Sequence, residues 1–114
     1  MSAGATPQSR FSVTAAPEAG EVAGLAVSGE IDIATAPQLR TALADAIARS
    51  PHGVDLDLGD CTFIDSTGLQ VIVRAAVALA DQGGSLSLGR PPDRLRRLFE
   101  TAGIDAIDGI RLAP

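Results

Sequence analysis

Residues 54–69, VDLDLGDCTFIDSTGL, carry the most information about the fold. The first five residues alternate apolar and polar side chains, which is the period of a β-strand with one buried face. The tetrapeptide DSTG, residues 65–68, follows, and apolar residues at helical spacing begin at Leu69. Either Asp65 or Ser66 fits the helix N-cap, because both side chains can accept a backbone N–H left unpaired in the first turn. We therefore predict a strand, a short loop and a helix, with Ser66 at or beside the positive end of the helix dipole.

The remaining sequence continues this alternation of strands and helices. Before residues 54–69, we predict a strand around residues 11–15, a turn at 17–20, a strand over 21–29, a loop over 30–34 and a helix from an N-cap at Thr35 to residues 50–51. The strand 54–58 is then followed by a helix over 66–82, which ends at Gly83-Gly84. After it, we predict a strand at Leu86 and Leu88, a helix that ends at Gly103, and a strand at Ile110 and Leu112. Residues 1–9 are predicted to be a disordered tail, and residues 10–114 a single domain. The fold class is α/β, with a mixed four- or five-stranded sheet, an N-terminal antiparallel hairpin and three helices.

Composition narrows the classes of function. Hydrophobic residues make up 46% of the 114 residues, enough for one core, and the formal net charge is −5. An acidic chain without a basic, aromatic patch is unsuited to direct nucleic-acid binding. No apolar run approaches the roughly 20 residues that span a bilayer, and the N-terminus lacks a signal-peptide pattern. With Cys61 as the one cysteine, these features predict a cytoplasmic protein that does not contact a membrane.

The residues that could carry out catalysis do not form a recognisable catalytic set. Ser66 would need a base to act as a nucleophile, and the single histidine, His52, precedes the strand whose other end leads to Ser66. Lysine, a G-x-S-x-G elbow and a phosphate-binding glycine loop are all missing from the sequence. Asp55 and Asp57 share one face of a strand and are expected to point to solvent. We therefore predict a protein that is not an enzyme and that uses no metal or cofactor.

Two other acidic residues are better placed for a binding site. Asp32 follows the second predicted strand and Asp65 follows the third, and sites in open α/β sheets lie beyond the carboxyl ends of the strands. A further cluster of arginines, at positions 90, 94, 96 and 97, is expected to be neutralised on its own helix by Asp93 and Glu100. Cys61 is expected to be a small buried residue, and His52 a loop residue.

Three segments resemble the STAS domain of bacterial anti-sigma factor antagonists: residues 27–43 (VSGEIDIATAPQLRTAL), 54–73 and 91–105 (PPDRLRRLFETAGID). The resemblance spans residues 11–112 and implies partner switching. In that mechanism the unmodified antagonist binds an anti-sigma factor that is also a serine kinase, and this releases a sigma factor. The kinase then phosphorylates the serine of a D-S-[ST]-G motif, which corresponds to Ser66, and the antagonist dissociates until a phosphatase restores it. The aspartate of a G-E-[IL]-D loop corresponds to Asp32.

The resemblance also implies a partner-binding surface around Ser66, made of Asp32, Ile33, Thr35, Asp65, Thr67, Gly68 and Leu69. Gly68 is expected to keep this surface low so that a partner can approach closely. A phosphate on Ser66 would add about −1.5 to −2 charges beside two aspartates and repel the partner. STAS antagonists usually continue into a further C-terminal helix, so we expect exposed apolar surface and weak self-association. The alternative is a STAS scaffold that is not phosphorylated, such as the cytosolic partner of a transporter, in which Ser66 only caps a helix.

Overall fold

A computed structural model describes residues 11–20 and 22–113 as five strands alternating with three α-helices. In chain order these are β1 (Ser12–Ala19), β2 (Val22–Ile31), α1 (Ala36–Arg49), β3 (Gly53–Ile64), α2 (Ser66–Ala80), β4 (Ser85–Gly89), α3 (Asp93–Thr101) and β5 (Ile110–Leu112), with a short 3₁₀ turn at Ile104–Ala106. The predicted α/β class, the hairpin and the three helices are confirmed. The predicted disordered tail, residues 1–9, lies outside the described residues.

The five strands form one mixed sheet in the order β1-β2-β3-β4-β5. Strand β1 is antiparallel to β2, while β2, β3, β4 and β5 run parallel to one another. Parallel neighbours end at the same edge, and Ile31 at the end of β2 is paired with Ile64 at the end of β3. The segments that leave these two strands therefore start side by side.

One face of the sheet carries the core. Residues at alternate positions of β3, namely Val54, Leu56 and Leu58, have no exposed surface, whereas Asp55 between them is exposed, as predicted. The helices pack against the buried face, and the buried side chains form a single cluster that is largely aliphatic and includes Phe99. Because only one face of each strand is apolar, the helices must pack on that face of the sheet.

The strands are longer than predicted. Strand β1 continues through the predicted turn at 17–20 as far as Ala19, and β2 continues into the predicted loop as far as Ile31. Strand β3 runs to Ile64 instead of ending at residue 58, so that the predicted short loop before α2 is reduced to Asp65. Residue 21, predicted to begin the second strand, lies outside the described residues.

Bulges explain these differences. The pairing between β2 and β3 shifts between Ala26 and Ser28 and again between Gly29 and Glu30, because β3 contains an extra residue at each place. A bulge breaks the strict alternation from which a strand is predicted, although the chain remains hydrogen-bonded in the sheet. In β1, an edge strand, Pro17 falls within the register shift between Ala16 and Ala19, a position where a proline is tolerated.

The second helix ends as its glycines predict. Gly83 has a φ of 80°, and its N–H donates to the oxygen of Ala80 at 2.9 Å. The N–H of Gly84 donates to the oxygen of Leu79 at 2.8 Å, which completes a Schellman motif. The α-helix itself ends at Ala80, two residues before the predicted end, because these last residues form the turn.

The predicted neutralisation of the arginine cluster is wrong for Arg90. This residue precedes α3 and forms a bidentate ion pair with Asp57 on β3: Nε lies 3.1 Å from Oδ1, and Nη2 lies 2.9 Å from Oδ2. The hydrogen bonds from Arg90 lower the pKa of Asp57 below its ordinary value. The pairing depends on the register of β3 and β4, which places Asp57 opposite Gly89, so the sequence of α3 alone could not predict it.

Candidate functional site

Two segments meet at the carboxyl edge of the sheet. The loop after β2, residues 32–35, leads into α1, and Asp65 after β3 leads into α2. The backbone N–H of Asp65 donates to the oxygen of Ile31 at 3.1 Å, which fixes the two segments against each other. Asp32 and Ser66, which are 34 positions apart in the sequence, therefore lie at the same edge, as predicted from the order of the strands.

Asp65, and not Ser66, is the N-cap of α2. Its backbone is extended (φ −99°, ψ −173°), and its Oδ1 accepts the N–H of Gly68 at 3.0 Å. Its backbone oxygen accepts the N–H of Leu69, also at 3.0 Å, which is the first bond of the helix. Of the two residues that fit the cap position in the sequence, the structure selects Asp65. The hydroxyl of Ser66 is therefore not needed to cap the helix.

Ser66 occupies the first position of α2, and its side chain is exposed. Within the described residues, the N–H groups of Ser66 and Thr67 have no hydrogen-bond partner. Unpaired N–H groups and the positive end of the helix dipole favour an anion at this position. A phosphate on the Ser66 hydroxyl would therefore be compatible with the fold, and it would be accessible to another protein.

Asp32 organises its own loop. Its Oδ1 accepts the N–H of Ala34 at 2.9 Å and the N–H of Thr35 at 3.0 Å. Its backbone oxygen accepts the N–H of Ala36 at 2.8 Å at the start of α1. The other carboxylate oxygen, Oδ2, has no hydrogen-bond partner in the described part of the chain. Asp32 therefore shapes the loop with one oxygen and presents the other at the edge of the sheet.

Thr35 is at the N-cap position of α1, as predicted, but its side chain makes no capping hydrogen bond. The hydroxyl instead donates to the oxygen of Glu30 at 2.8 Å and accepts the N–H of Asp32 at 2.9 Å. Thr35 thus ties the loop to the end of β2. Ile33, at the tip of the same loop, is 76% exposed and leaves a large apolar side chain in solvent.

Gly68 is buried, which corrects the expectation that it keeps the outer surface low. A Cβ at this position would lie 2.6 Å from Cγ2 of Ile31 and 2.9 Å from Cγ2 of Ile64. The glycine therefore lets α2 start close to the ends of β2 and β3. Leu69, in the same turn, is partly buried and packs against the core, and Thr67 is partly exposed.

Phe63 was not among the predicted site residues, yet its side chain is 45% exposed three residues before Ser66. Its partner across the sheet is Glu30. Strand β4 pairs only as far as Asp57 in β3, so Phe63 lies beyond the last residue that β4 pairs with. The bulge between Cys61 and Phe63 breaks the alternation, and no sequence pattern showed which face Phe63 occupies. The feature of the sequence that could have indicated a contact residue is an aromatic side chain shortly before the DSTG motif.

Neither Cys61 nor His52 is placed to react together with Ser66. Cys61 is 1% exposed, as predicted, and burial raises the pKa of its thiol. His52 precedes the 12-residue strand β3, whereas Ser66 follows it, so that about 40 Å of extended chain separates them at about 3.3 Å per residue. Hydrolysis by a serine–histidine pair is therefore excluded for these two residues.

The described part of the chain has neither a cluster of metal ligands nor a membrane-spanning helix. No group of three or more His, Cys, Asp or Glu residues there could hold a metal ion. None of the helices among the described residues is long and apolar enough to cross a membrane. The exposed serine, the Asp32 loop and the two exposed apolar residues Ile33 and Phe63 are thus the features that distinguish the carboxyl edge.

Together these features describe a two-layer α/β domain that exposes a serine at the start of α2. A family model described as "Mlab, STAS domain" matches residues 14–112. The anti-sigma-B factor antagonist of Bacillus subtilis is 42% identical over 85 residues, covering 72% of this chain and 75% of that protein. The antagonist of the same name from Listeria monocytogenes is 39% identical over 85 residues, covering 75% of each. The chain belongs to the STAS domain family.

Solved structures agree with this assignment. The crystal structure of an anti-sigma factor antagonist from Mycobacterium paratuberculosis superimposes with a TM-score of 0.72 at 28% identity, covering 88% of this chain and 86% of that one. The structure of the anti-sigma factor antagonist SpoIIAA in its unphosphorylated form gives a TM-score of 0.70 at 18% identity, covering 90% and 88%. The second similarity is one of fold alone.

Proposed function

We propose that this protein is an anti-sigma factor antagonist that works by partner switching. Unmodified, it binds an anti-sigma factor serine kinase and thereby releases a sigma factor. Phosphorylation of Ser66 ends this binding, and a serine phosphatase restores it. The observation that carries the proposal is the exposed Ser66 hydroxyl at the start of α2, beside Asp65 and the Asp32 loop. The relatives named anti-sigma-B factor antagonist, at up to 42% identity, support it.

The proposed modification is a phosphoryl transfer from ATP. The Ser66 oxygen forms a bond to the γ-phosphorus, the bond between that phosphorus and ADP breaks, and the hydroxyl proton passes to a base of the kinase. This chain supplies only the acceptor, so it needs no catalytic residue of its own. The exposure of Ser66 gives the kinase access, and the capping by Asp65 leaves the hydroxyl free to react.

The same geometry explains why the phosphate would switch binding without unfolding the domain. The added charge of about −1.5 to −2 sits on the first residue of α2, where the helix dipole favours it. Toward a partner, however, it joins the carboxylates of Asp65 and Asp32. A penalty of about 3 kcal/mol from like charges and desolvation weakens binding about a hundredfold.

Apolar contacts would supply the affinity of the unmodified form. Ile33 and Phe63 are large, exposed side chains at the carboxyl edge, 76% and 45% exposed respectively. Interfaces depend on a few such side chains that become fully desolvated, while charged residues around them set specificity. We propose Ile33 and Phe63 as the apolar contacts, Asp32 Oδ2 as a hydrogen-bond acceptor, and Thr35, Thr67, Gly68 and Leu69 as residues that hold the surface in shape.

The test uses the purified chain with the anti-sigma factor serine kinase of the same organism and ATP. Intact mass should increase by one phosphate, and fragment mapping should place it on Ser66. Ser66→Ala should bind the kinase but accept no phosphate, and the matched control Thr67→Ala, which removes the neighbouring hydroxyl, should still be phosphorylated. Phosphate on Thr67 instead of Ser66 would contradict the proposal.

Charge is tested separately from size. Ser66→Asp adds a negative charge and Ser66→Asn adds a neutral group of the same shape. We expect Ser66→Asp to bind the kinase much more weakly than Ser66→Asn, because only the aspartate adds a charge that must be desolvated beside Asp65 and Asp32 when the partner binds. Equal affinities for the two variants, measured by calorimetry, would show that charge is not the switch.

The alternative, a STAS adaptor in which Ser66 is never phosphorylated, shares the fold. The same fold matches part of the murine anion transporter Slc26a9, at 14% identity and 17% of that chain, so the fold does not separate the two functions. An unchanged mass after incubation with kinase and ATP, together with no binding, would favour the adaptor.

We further propose a cytoplasmic location and weak self-association of the free protein. The exposed apolar side chains Ile33, Phe63 and Val77 support self-association, because their burial between two copies is favourable. Sedimentation velocity over a range of concentrations tests it, and a sedimentation coefficient that does not change with concentration would remove this part of the proposal.

A further inference from the structure

A groove runs between α1 and α2 on the outer side of the helical layer. Its volume is about 390 Å³, within the range of roughly 300–1,000 Å³ typical of small-molecule sites. Apolar side chains from both helices line it, among them Leu43 and Ile47 of α1 and Val71 and Ala75 of α2. This groove lies along the bodies of the helices and does not include Ser66 or the Asp32 loop.

The polar residues that line the groove are two arginines, Arg40 from α1 and Arg74 from α2. Both are exposed, and neither has an ion-pair or hydrogen-bond partner among the described residues. No carboxylate lines the groove. In a chain with a net charge of −5, two unpaired guanidinium groups beside an apolar groove create a local site that favours anions.

We propose that the groove binds a single-chain anionic amphiphile. Its alkyl chain would lie along Leu43, Ile47 and Val71, and its anionic headgroup would face Arg40 and Arg74. Arginine binds carboxylate and phosphate oxygens through charge-assisted hydrogen bonds, so a fatty acid and an alkyl phosphate share the required chemistry. The proposal does not depend on the proposed function, because it uses neither Ser66 nor the carboxyl edge.

Decanoate and decyl phosphate are the probes, used below their micelle-forming concentrations. Calorimetry should show saturable binding of at least one, and ¹H–¹⁵N spectra should show shifts confined to amides of α1 and α2. The two arms separate a carboxylate headgroup from a phosphate headgroup. Butyrate, which has the charge without the chain, and decyltrimethylammonium, which has the chain with the opposite charge, should bind at least tenfold more weakly.

Variants test each half of the groove. Arg40→Gln and Arg74→Gln should each weaken binding about tenfold, as expected for the loss of a charged hydrogen-bond donor. Arg97→Gln, on α3 and outside the groove, is the matched control and should bind like the unmodified chain. Ala44→Phe places a large side chain where an alanine lines the groove and should abolish binding with both arginines intact.

Three results would overturn the proposal: neither anionic probe binds, the cationic probe binds equally well, or the arginine variants bind like the control. If neither anionic probe binds, the amphiphile proposal is overturned, and a helix of another protein becomes the occupant to test. Thermal unfolding of each variant, followed by circular dichroism, confirms that a loss of binding does not reflect a loss of fold.

Discussion

Replacing Gly68 by alanine tests how closely α2 must approach the sheet. In most exposed helical positions this substitution stabilises a protein, because glycine costs about 1 kcal/mol relative to alanine in a helix. Gly68, however, is buried against β2 and β3. We expect Gly68→Ala to destabilise the domain instead.

The magnitude follows from two distances. The new Cβ would lie 2.6 Å from Cγ2 of Ile31 and 2.9 Å from Cγ2 of Ile64, whereas carbon atoms in favourable contact are about 3.5–4.0 Å apart. Helix α2 must therefore move outward by about 1 Å, or the isoleucines must leave their rotamers, since both are buried and cannot move aside freely. Such overpacking costs about 1–3 kcal/mol, which outweighs the gain in helix propensity of about 1 kcal/mol and leaves a net loss of about 1 kcal/mol.

Urea denaturation followed by circular dichroism measures this loss. Gln70, exposed on the same helix, supplies the control: Gln70→Ala should be more stable than Gln70→Gly by about 1 kcal/mol. If Gly68→Ala is stabilised by the same amount as this pair differs, the argument from close packing is refuted. Because the shift of α2 would also move Ser66 relative to Asp32, we expect Gly68→Ala to weaken binding of the proposed kinase.

Four further outcomes are expected. Asp65→Ala should lower the free energy of unfolding by about 1 kcal/mol, and Asp65→Asn, which retains a capping oxygen, should lower it much less in urea denaturation. Because Arg90 lowers the pKa of Asp57 in the folded state, their pair stabilises at neutral pH and loses its effect as the pH falls through that lowered pKa; the difference in Tm between the unmodified chain and Arg90→Gln should therefore shrink in acid. Cys61, buried with a raised pKa, should react with a thiol reagent far more slowly in the folded protein than in urea, and equal rates would contradict its burial. Phe63→Ser should weaken binding of the proposed kinase at least tenfold while the domain still unfolds cooperatively with a modestly lower Tm, and unchanged affinity would remove Phe63 from the interface.

The order and type of the elements could be predicted because each has its own local signal. Alternation over residues 54–58, helical spacing from Leu69 and the glycines at 83 and 84 specify a strand, a helix and its end without reference to the rest of the chain. The position of Ser66 at the helix start follows from the same signals. A local pattern with one strong preference needs no tertiary information.

The ends of the strands could not be predicted in this way. The extension of β3 to Ile64 depends on bulges that only its pairing with β2 makes favourable. The choice of Asp65 over Ser66 as the cap depends on the extended backbone with which β3 ends. For the same reason Phe63 was not predicted to be exposed, and Gly68 was wrongly expected at the outer surface. The burial of both residues depends on how their strands and helix pack, which local patterns do not show.

Periodicity and capping preferences act over a few residues, and they were enough to specify an acidic α/β domain with a serine at the start of its second helix. Only the tertiary structure showed that Asp65 caps the second helix, that Gly68 is enclosed by Ile31 and Ile64, and that Arg90 pairs with Asp57. The last two of these contacts join residues that are distant in the sequence, and the sheet register that brings them together is set by burial of the whole core.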